Sequence, residues 1–194
     1  MGGTGDLGIA EFLRELSAPT PTPGAGGALS TTAAIAAALV EMTARISADR
    51  GGSKLNNEQL QKLAGRASEL GEEAAGLGDA DAVAYAEVLE AMKASSDDPT
   101  RPERVRSALS AAAEPPLQLA AVAAELTEAA GDVVKGGRAS VRGDALAGVV
   151  LAEAACCGAS RLVAIDVDDP GDPRVAEAEA YAGRAAAARR TATK

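Results

Sequence analysis

Alanine and other small side chains must build most of the hydrophobic core of this chain, because large apolar rings are nearly absent. Hydrophobic residues make up 47% of the 194 residues, whereas aromatic residues make up only 2%. Alanine has the highest helix propensity, and its small side chain lets neighbouring helices approach closely. We therefore expect an all-α protein with one helical domain over residues 1–194, an ordered core at 8–190 and a flexible tail at 191–194.

Apolar periodicity and chain breakers divide the sequence into seven or eight helices, as expected for an up-and-down bundle. Segments 28–47 and 145–157 are apolar almost all round, which predicts that both are buried and that the first is the central helix. Residues 161–173 show β-type alternation but are too isolated to build a sheet. Helices are expected at about residues 8–17, 28–47, 56–77, 79–93, 103–115, 117–134, 145–157 and 174–190.

The absence of histidine limits the acid–base and metal chemistry of this chain. Carboxylates, Lys, Tyr, Cys or hydroxyl groups would have to move protons, and no bound metal is expected. The net charge is −9 and the 19 basic residues are scattered, so nucleic-acid binding is not expected. We interpret the adjacent Cys156 and Cys157 as small buried core residues in a reducing cytoplasm rather than as a redox pair.

Two features of the first forty residues bear on where the protein resides. Residues 1–8 have neither the positive region nor the apolar stretch of a signal peptide. Residues 17–40 carry no charge, but Pro19, Pro21 and Pro23 leave too few consecutive apolar residues to span a bilayer. We expect a soluble, cytoplasmic protein without a membrane partner.

A core built from small side chains also predicts self-association. An alanine buries much less apolar area than an aromatic ring, so each contact within one subunit contributes less. The apolar faces at residues 28–40 and 145–157 exceed what one small subunit can cover. We expect a homodimer whose interface includes these two segments.

Four blocks of sequence, in order along the chain, carry a resemblance to a known family. They are FLRELSAPTPTPGAGGALSTTAAIAAALVEM at 12–42, GDADAVAYAEVLEAM at 78–92, EPPLQLA at 114–120 and SVRGDALAGVVLAEAACCGA at 140–159. Together they resemble the formiminotetrahydrofolate cyclodeaminases and the related methenyltetrahydrofolate cyclohydrolases. The resemblance implies a cyclodeaminase-like all-helical dimer with a folate cleft at each subunit.

The resemblance also aligns individual residues. The family's turn Pro-x-Pro-Gly-Gly-Gly-Ser falls on Pro21 to Gly27, so its serine becomes Gly27. Its Asp-x-Asp-Ala-x-Ala-Phe segment matches Asp79 and Asp81, with Tyr85 on the aromatic position. Its Asn-x-x-Ser-Asp segment ends on Asp144, and two later asparagines fall on Leu162 and Asp166.

Carboxylates are the candidate catalytic residues. Both family reactions pass through a cationic carbon attacked by an amine or by water, which requires a nearby negative charge and a proton carrier. Asp144, just ahead of the apolar segment 145–157, is the first candidate, and the alternative is an ordinary N-cap. Asp81 is the second candidate, and the alternative is an acid favoured by the first turn of a helix. Asp79 is a weaker candidate.

The resemblance further implies a set of substrate-binding residues. The Pro/Gly turn offers free backbone N–H groups to a ligand anion, or it is simply a rigid turn that lets helices pack. Arg50 and Lys54 could meet the glutamate tail of a folate, or could be solvated loop charges. Arg142 could contact an anion or could plug the cleft. The full set is Pro23, Gly24, Ala25, Gly26, Gly27, Arg50, Lys54, Ser140, Arg142 and Asp166.

We therefore expect a one-carbon folate enzyme, either a methenyltetrahydrofolate cyclohydrolase or a formiminotetrahydrofolate cyclodeaminase. Its substrate would be a tetrahydrofolate derivative, and no tightly bound cofactor is expected. One alternative is a repurposed family member that acts on another small substrate with a C–N bond. The other is a non-catalytic helical subunit that keeps the fold and the oligomer interface.

Overall fold

A computed structural model describes residues 8–50, 52–167 and 169–194 of the chain. Within these ranges the chain forms α-helices and one short 3-10 helix, with no strand, which confirms the expected all-α class. Residues 1–7, on which most of the signal-peptide expectation rests, lie outside the described ranges. The helices are α1 (Ile9–Leu16), α2 (Ala25–Arg50), α3 (Asn57–Met92), α4 (Arg101–Ala112), α5 (Glu114–Gly136), α6 (Arg142–Val167) and α7 (Pro173–Ala192), and the 3-10 helix Ala139–Val141 precedes α6.

Helix α3 is one continuous helix of 36 residues, where the sequence predicted two helices with a break before Asp79. It begins at a capping box in which Asn56 and Gln59 each accept from the other's backbone N–H. The glycines near its middle lower helix propensity, but Gly78 allows close packing: a Cβ there would collide with Ser30 of α2. Tertiary packing therefore overrides the local preference for a break.

Helix α6 continues through residues 161–167, so the interpretation of this stretch as β-type alternation was wrong. No proline separates these residues from the helix before them, and Gly158, which follows the predicted end of that helix, lies inside α6 against Leu29. Val163 is fully buried and clusters with Leu117 of α5 and Ala178 of α7. The modest penalty of β-branched residues in a helix, a few tenths of a kcal/mol each, is smaller than the gain from burying that side chain.

The most deeply buried helix is α5, not α2 as the sequence predicted. Helix α5 packs against α6, α7, α3 and α2. Helices α2 and α6 each bury one face in the core and leave another exposed. Cys156 is buried on α6 as expected, whereas Cys157 points away from the core and is exposed, which corrects its assignment as a core residue.

Helices α2 and α6 lie side by side and run in opposite directions. Gly148 of α6 faces Val40, and Gly158 faces Leu29, so residue numbers rise along α6 as they fall along α2. A Cβ at Gly148 would lie 3.0 Å from Val40 Cγ2 and 3.4 Å from the Ala36 carbonyl oxygen. Small residues at this contact thus set the spacing of the two helices.

Both α2 and the segment from Ala139 to Val167 are long and apolar enough to cross a membrane by length and composition. The expectation that the prolines leave too short an apolar segment was therefore wrong, because α2 begins after them and runs 26 residues. In the bundle both helices pack against each other and against α5. The chain end also differs from expectation: α7 runs to Ala192, whose side chain is buried near Gly131.

Candidate functional site

Asp81 of α3 lies directly against the first turn of α2. A Cβ built on Gly26, the second residue of α2, would overlap the carboxylate of Asp81. Because Cα–Cβ bonds in a helix tilt toward its N-terminus, the carboxylate lies on the side of the turn where backbone N–H groups have no helical partner. The space suggested for a ligand anion is therefore taken by a carboxylate of the chain itself.

The first turn of α2 is held by side chains that the sequence interpretation did not single out. Ser30 is almost fully buried, and its hydroxyl donates to the carbonyl oxygens of Gly26 at 2.8 Å and Gly27 at 3.2 Å. Thr31 donates to the Gly27 carbonyl at 2.8 Å. Gly27 is also buried, and a Cβ there would lie 3.4 Å from Pro23 Cβ. The available signal was the spacing of four residues from glycine to hydroxyl, which suits i to i−4 bonding in a helix.

Asp81 does not occupy the first turn of a helix, so the favourable macrodipole of its own helix cannot explain it. It lies inside α3, more than two turns from either end. Its side chain is half-buried, and this burial raises the pKa of its carboxyl group. A half-buried acid in the middle of a helix is costly without a role, which makes Asp81 a stronger candidate than the sequence suggested.

Asp166 is a second carboxylate near enough to Asp81 for the two charges to interact. It lies in the last turn of α6 and is half-buried. Burial, and to a lesser degree the neighbouring charge of Asp81, raise the pKa of Asp166 to about 6. The site thus joins the first turn of α2, the middle of α3 and the end of α6, and burial raises the pKa of both of its carboxyl groups.

The other predicted site residues lie at the opposite end of the bundle. Asp144 is exposed in the first turn of α6 rather than ahead of the helix, and Arg142 is the exposed first residue. Along α6, Asp144 and Asp166 are about 33 Å apart at ~1.5 Å per residue. Arg50 ends α2 at that same far end. Within one subunit the structure therefore divides the predicted residues into two groups.

At the end of the bundle that carries Arg50, Arg142 and Asp144, Arg138 forms hydrogen bonds that hold the neighbouring segments together. The sequence interpretation did not single out this residue. Its guanidinium donates to the Arg50 carbonyl oxygen at 3.1 Å and to Ser140 Oγ at 3.0 Å. Its backbone N–H donates to Ser47 Oγ at 2.9 Å. The backbone N–H of Lys54 donates to the Gly136 carbonyl at 2.8 Å. These bonds join the end of α2 to the end of α5 and the start of α6.

An open apolar groove of about 450 Å³ adjoins the Asp81 site. It runs between α1 and α2, and its lining includes Ala28 of the first turn of α2 and Ser30, whose hydroxyl bonds to that turn. Its lining is mostly apolar and includes Phe12, Leu13, Leu16, Ile35 and Ala75. Among the described residues no group of three or more Cys, Asp or Glu side chains is arranged to hold a metal ion.

The chain is an all-helical bundle with two half-buried carboxylates near a Pro/Gly turn. The sequence model of the family described as formiminotransferase-cyclodeaminase matches residues 8–182. The chain therefore belongs to this family, as the four sequence blocks predicted.

Individual relatives agree with this membership. The chain is 30% identical over 168 residues to the formimidoyltransferase-cyclodeaminase of Sus scrofa, which covers 84% of this chain and 31% of the pig protein. It is 28% identical over 171 residues to the Mus musculus protein of the same name, covering 86% of this chain and 32% of that protein. The chain thus spans about a third of the length of these relatives.

A solved structure shows the same fold. The crystal structure of formiminotetrahydrofolate cyclodeaminase from Thermotoga maritima superposes with a TM-score of 0.88 at 22% sequence identity. The match covers 97% of this chain and 95% of that one. The helix arrangement described above is therefore the cyclodeaminase fold.

Proposed function

We propose that this chain is an enzyme that acts on a cationic C–N centre of a folate derivative, as a cyclodeaminase or a cyclohydrolase. The observation that carries the proposal is the half-buried Asp81 carboxylate against the first turn of α2, with Asp166 near enough for the charge of Asp81 to raise its pKa. Family membership supports the folate substrate. The proposal includes a cytoplasmic protein without a tightly bound cofactor.

The site has the charge that such a reaction needs. In ring closure an amine attacks an amidinium carbon and ammonia leaves, and in hydrolysis water attacks the methenyl carbon. Both substrates are cations, and a half-buried negative charge stabilises a cation more strongly than a solvated one does. The first turn of α2 adds only Pro, Gly and Ala side chains, so it places no competing cation there. The adjoining apolar groove offers a surface for the ring portion of a substrate.

We further propose that the enzyme is a homodimer formed through α2 and α6. These helices lie side by side, and their shared exposed face carries Ile35 at 49% exposure, Met42 at 38% and Val150 at 48%. Ala38, Ala147 and Ala154 are also exposed on these two helices. Because both helices run the length of the subunit, a two-fold axis near the middle of this face would bring the Asp144 end of one copy toward the Asp166 end of the other. Asp144 can act at the Asp81 site only in that way.

Replacement of Asp81 by Asn tests the proposed function. Asn keeps the shape beside Gly26 but cannot carry charge or a proton, so kcat should fall by ~10² to 10⁴. The assay follows the near-ultraviolet absorbance of methenyltetrahydrofolate, formed from formiminotetrahydrofolate in one reaction and hydrolysed in the other. Asp97→Asn, in the exposed loop after α3, is the matched control and should retain the wild-type rate.

Two outcomes would contradict the proposal. If Asp81→Asn and wild type turn over equally fast, Asp81 has no catalytic role. If wild type does not exceed buffer with either substrate, the folate function fails, and the repurposed or non-catalytic family member takes its place.

A further inference from the structure

The two carboxylates of the site lie at opposite ends of helix dipoles. Asp81 lies against the first turn of α2, where the aligned peptide groups present about half a positive charge. Asp166 lies in the last turn of its own helix, where they present about half a negative charge. The same pair of acids therefore experiences two fields of opposite sign, and these fields separate their proton affinities.

The other charged groups near the pair do not cancel this difference. Asp79 precedes Asp81 by two residues, which turns it by about 200° to the far side of α3. The α2 turn contributes no charged side chain. At the start of α7, Asp172 and Arg174 pair with each other at 2.8 Å, and Arg174 also binds Ser110 of α4. Asp168 lies outside the described residues.

We propose that Asp81 is the ionised base of the site and Asp166 is the protonated acid, so that the pair holds one proton before reaction. The assignment of acid and base is new, and its catalytic part rests on the proposed function. It follows from the place of each carboxylate relative to a helix end, together with the burial of both. The direction of the shift at Asp166 agrees, since burial and, to a lesser degree, the Asp81 charge raise its pKa to about 6.

Each proton in the reaction then has a defined origin and destination. In deamination the amine nitrogen bonds to the amidinium carbon and loses its proton to Asp81. Asp166 gives its proton to the departing nitrogen, the C–N bond breaks, and ammonia leaves while the product remains a cation. Transfer of the proton from Asp81 to Asp166 restores the starting state. In hydrolysis water bonds to the methenyl carbon and loses one proton to Asp81. Asp166 gives its proton to a ring nitrogen, the bond from that nitrogen to the carbon breaks, and the remaining hydroxyl proton leaves to solvent as the formyl carbonyl forms, so the product is neutral.

A titration of the aspartate carboxyl carbons by ¹³C NMR tests the assignment without any substrate. The signals of the two residues are identified by their absence in Asp81→Asn and Asp166→Asn. In wild type the apparent midpoint of Asp166 should lie near 6 and that of Asp81 below it. In Asp81→Asn the Asp166 midpoint should fall, because a like charge has been removed, and should stay above the ordinary value, because burial remains. A higher midpoint at Asp81 than at Asp166 overturns the assignment, as does an ordinary midpoint at Asp166.

Turnover tests the catalytic part. Asp166→Asn keeps the shape of the side chain but has no acidic proton, so kcat should fall by ~10² to 10⁴ while KM changes little. Asp97→Asn is again the control. An Asp166→Asn enzyme with the wild-type kcat overturns the role of Asp166 as the acid. If wild type is inactive on both folate substrates, the proposed function fails, but the titration still decides which carboxylate holds the proton.

Discussion

Burial without a compensating cation governs the chemistry of Asp81 and Asp166. Among the charged groups of the described residues, none is found to lower the pKa of either acid, and for both burial is the largest cause of the rise. By contrast, hydrogen bonds from Arg174 lower the pKa of Asp172 to about 2. The pKa of the same residue type is thus lowered when an arginine pairs with it and raised when burial acts without such a partner.

The raised pKa of Asp166 predicts how stability changes with pH. Its folded-state value of about 6 exceeds the unfolded value, so its favourable contribution is complete below the unfolded pKa and is lost as pH rises through 6. Asp166→Asn should therefore increase the free energy of unfolding at pH 7.5 by about 1–2 kcal/mol, a figure reduced from the full shift because the group is half exposed. Urea denaturation at pH 7.5 and 4.5 measures this. An equal effect at both pH values would contradict the prediction.

At this scale the sequence identified the right kinds of residue but not their grouping. The sequence analysis predicts Asp81 as a second catalytic residue and Asp166 only as a substrate-binding residue, and it places Asp144 first because Asp144 matches the family and precedes an apolar segment. The sequence around residues 81 and 144 does not indicate that they lie at opposite ends of the bundle. That distance depends on the uninterrupted lengths of α3 and α6, each of which the sequence analysis made too short.

At the scale of the elements, small residues at helix contacts determine how closely the helices pack. Gly148 lets α6 approach Val40 and Ala36 of α2, and Gly78 does the same between α3 and Ser30 of α2. A helix-interior glycine is less favourable than alanine by roughly 0.5–1 kcal/mol. The closer packing of the two helices that glycine permits must add at least this much to the free energy of unfolding if it is to offset the cost.

Alanine substitutions at two glycines separate these effects. Gly148→Ala should decrease the free energy of unfolding by about 1–3 kcal/mol, because the new Cβ lies 3.0 Å from Val40 Cγ2 and the two helices must shift. Gly183→Ala, on α7 where a Cβ would meet nothing within 4 Å, should increase it by about 0.5–1 kcal/mol. Thermal denaturation of both variants checks the signs. A stabilised Gly148→Ala variant would show that this contact does not set the helix spacing.

The existence of the helices followed from composition and periodicity, whereas their ends depended on contacts that no local pattern reveals. Residues 161–167 looked like a strand because Val and Ile favour one, but they continue a helix that already covers the core. Most of the all-α fold could therefore be predicted, and the errors fall where tertiary packing outweighs propensity.

At the scale of the whole molecule, α2 and α6 share an apolar face that a single subunit leaves exposed to solvent. Val150→Glu places a charge in the middle of this face and should convert the proposed dimer into a monomer, while helical circular dichroism stays unchanged. Val83→Glu is the matched control, since Val83 is 65% exposed on α3, outside this face. Light scattering at micromolar concentration gives the mass. A wild-type monomer, or a Val150→Glu dimer, would rule out this interface.

The contact between Gly26 and Asp81 also restricts how this sequence can diverge. A side chain of any size at position 26 would occupy the space of the Asp81 carboxylate, which would then have to leave the first turn of α2. A lineage that abandons the chemistry could exchange both, for example a larger residue at 26 against a smaller one at 81. A lineage that keeps it must keep the glycine, whatever happens at exposed positions such as Arg142. Paired change at residues 26 and 81 would thus mark descendants that keep the fold without the proposed activity.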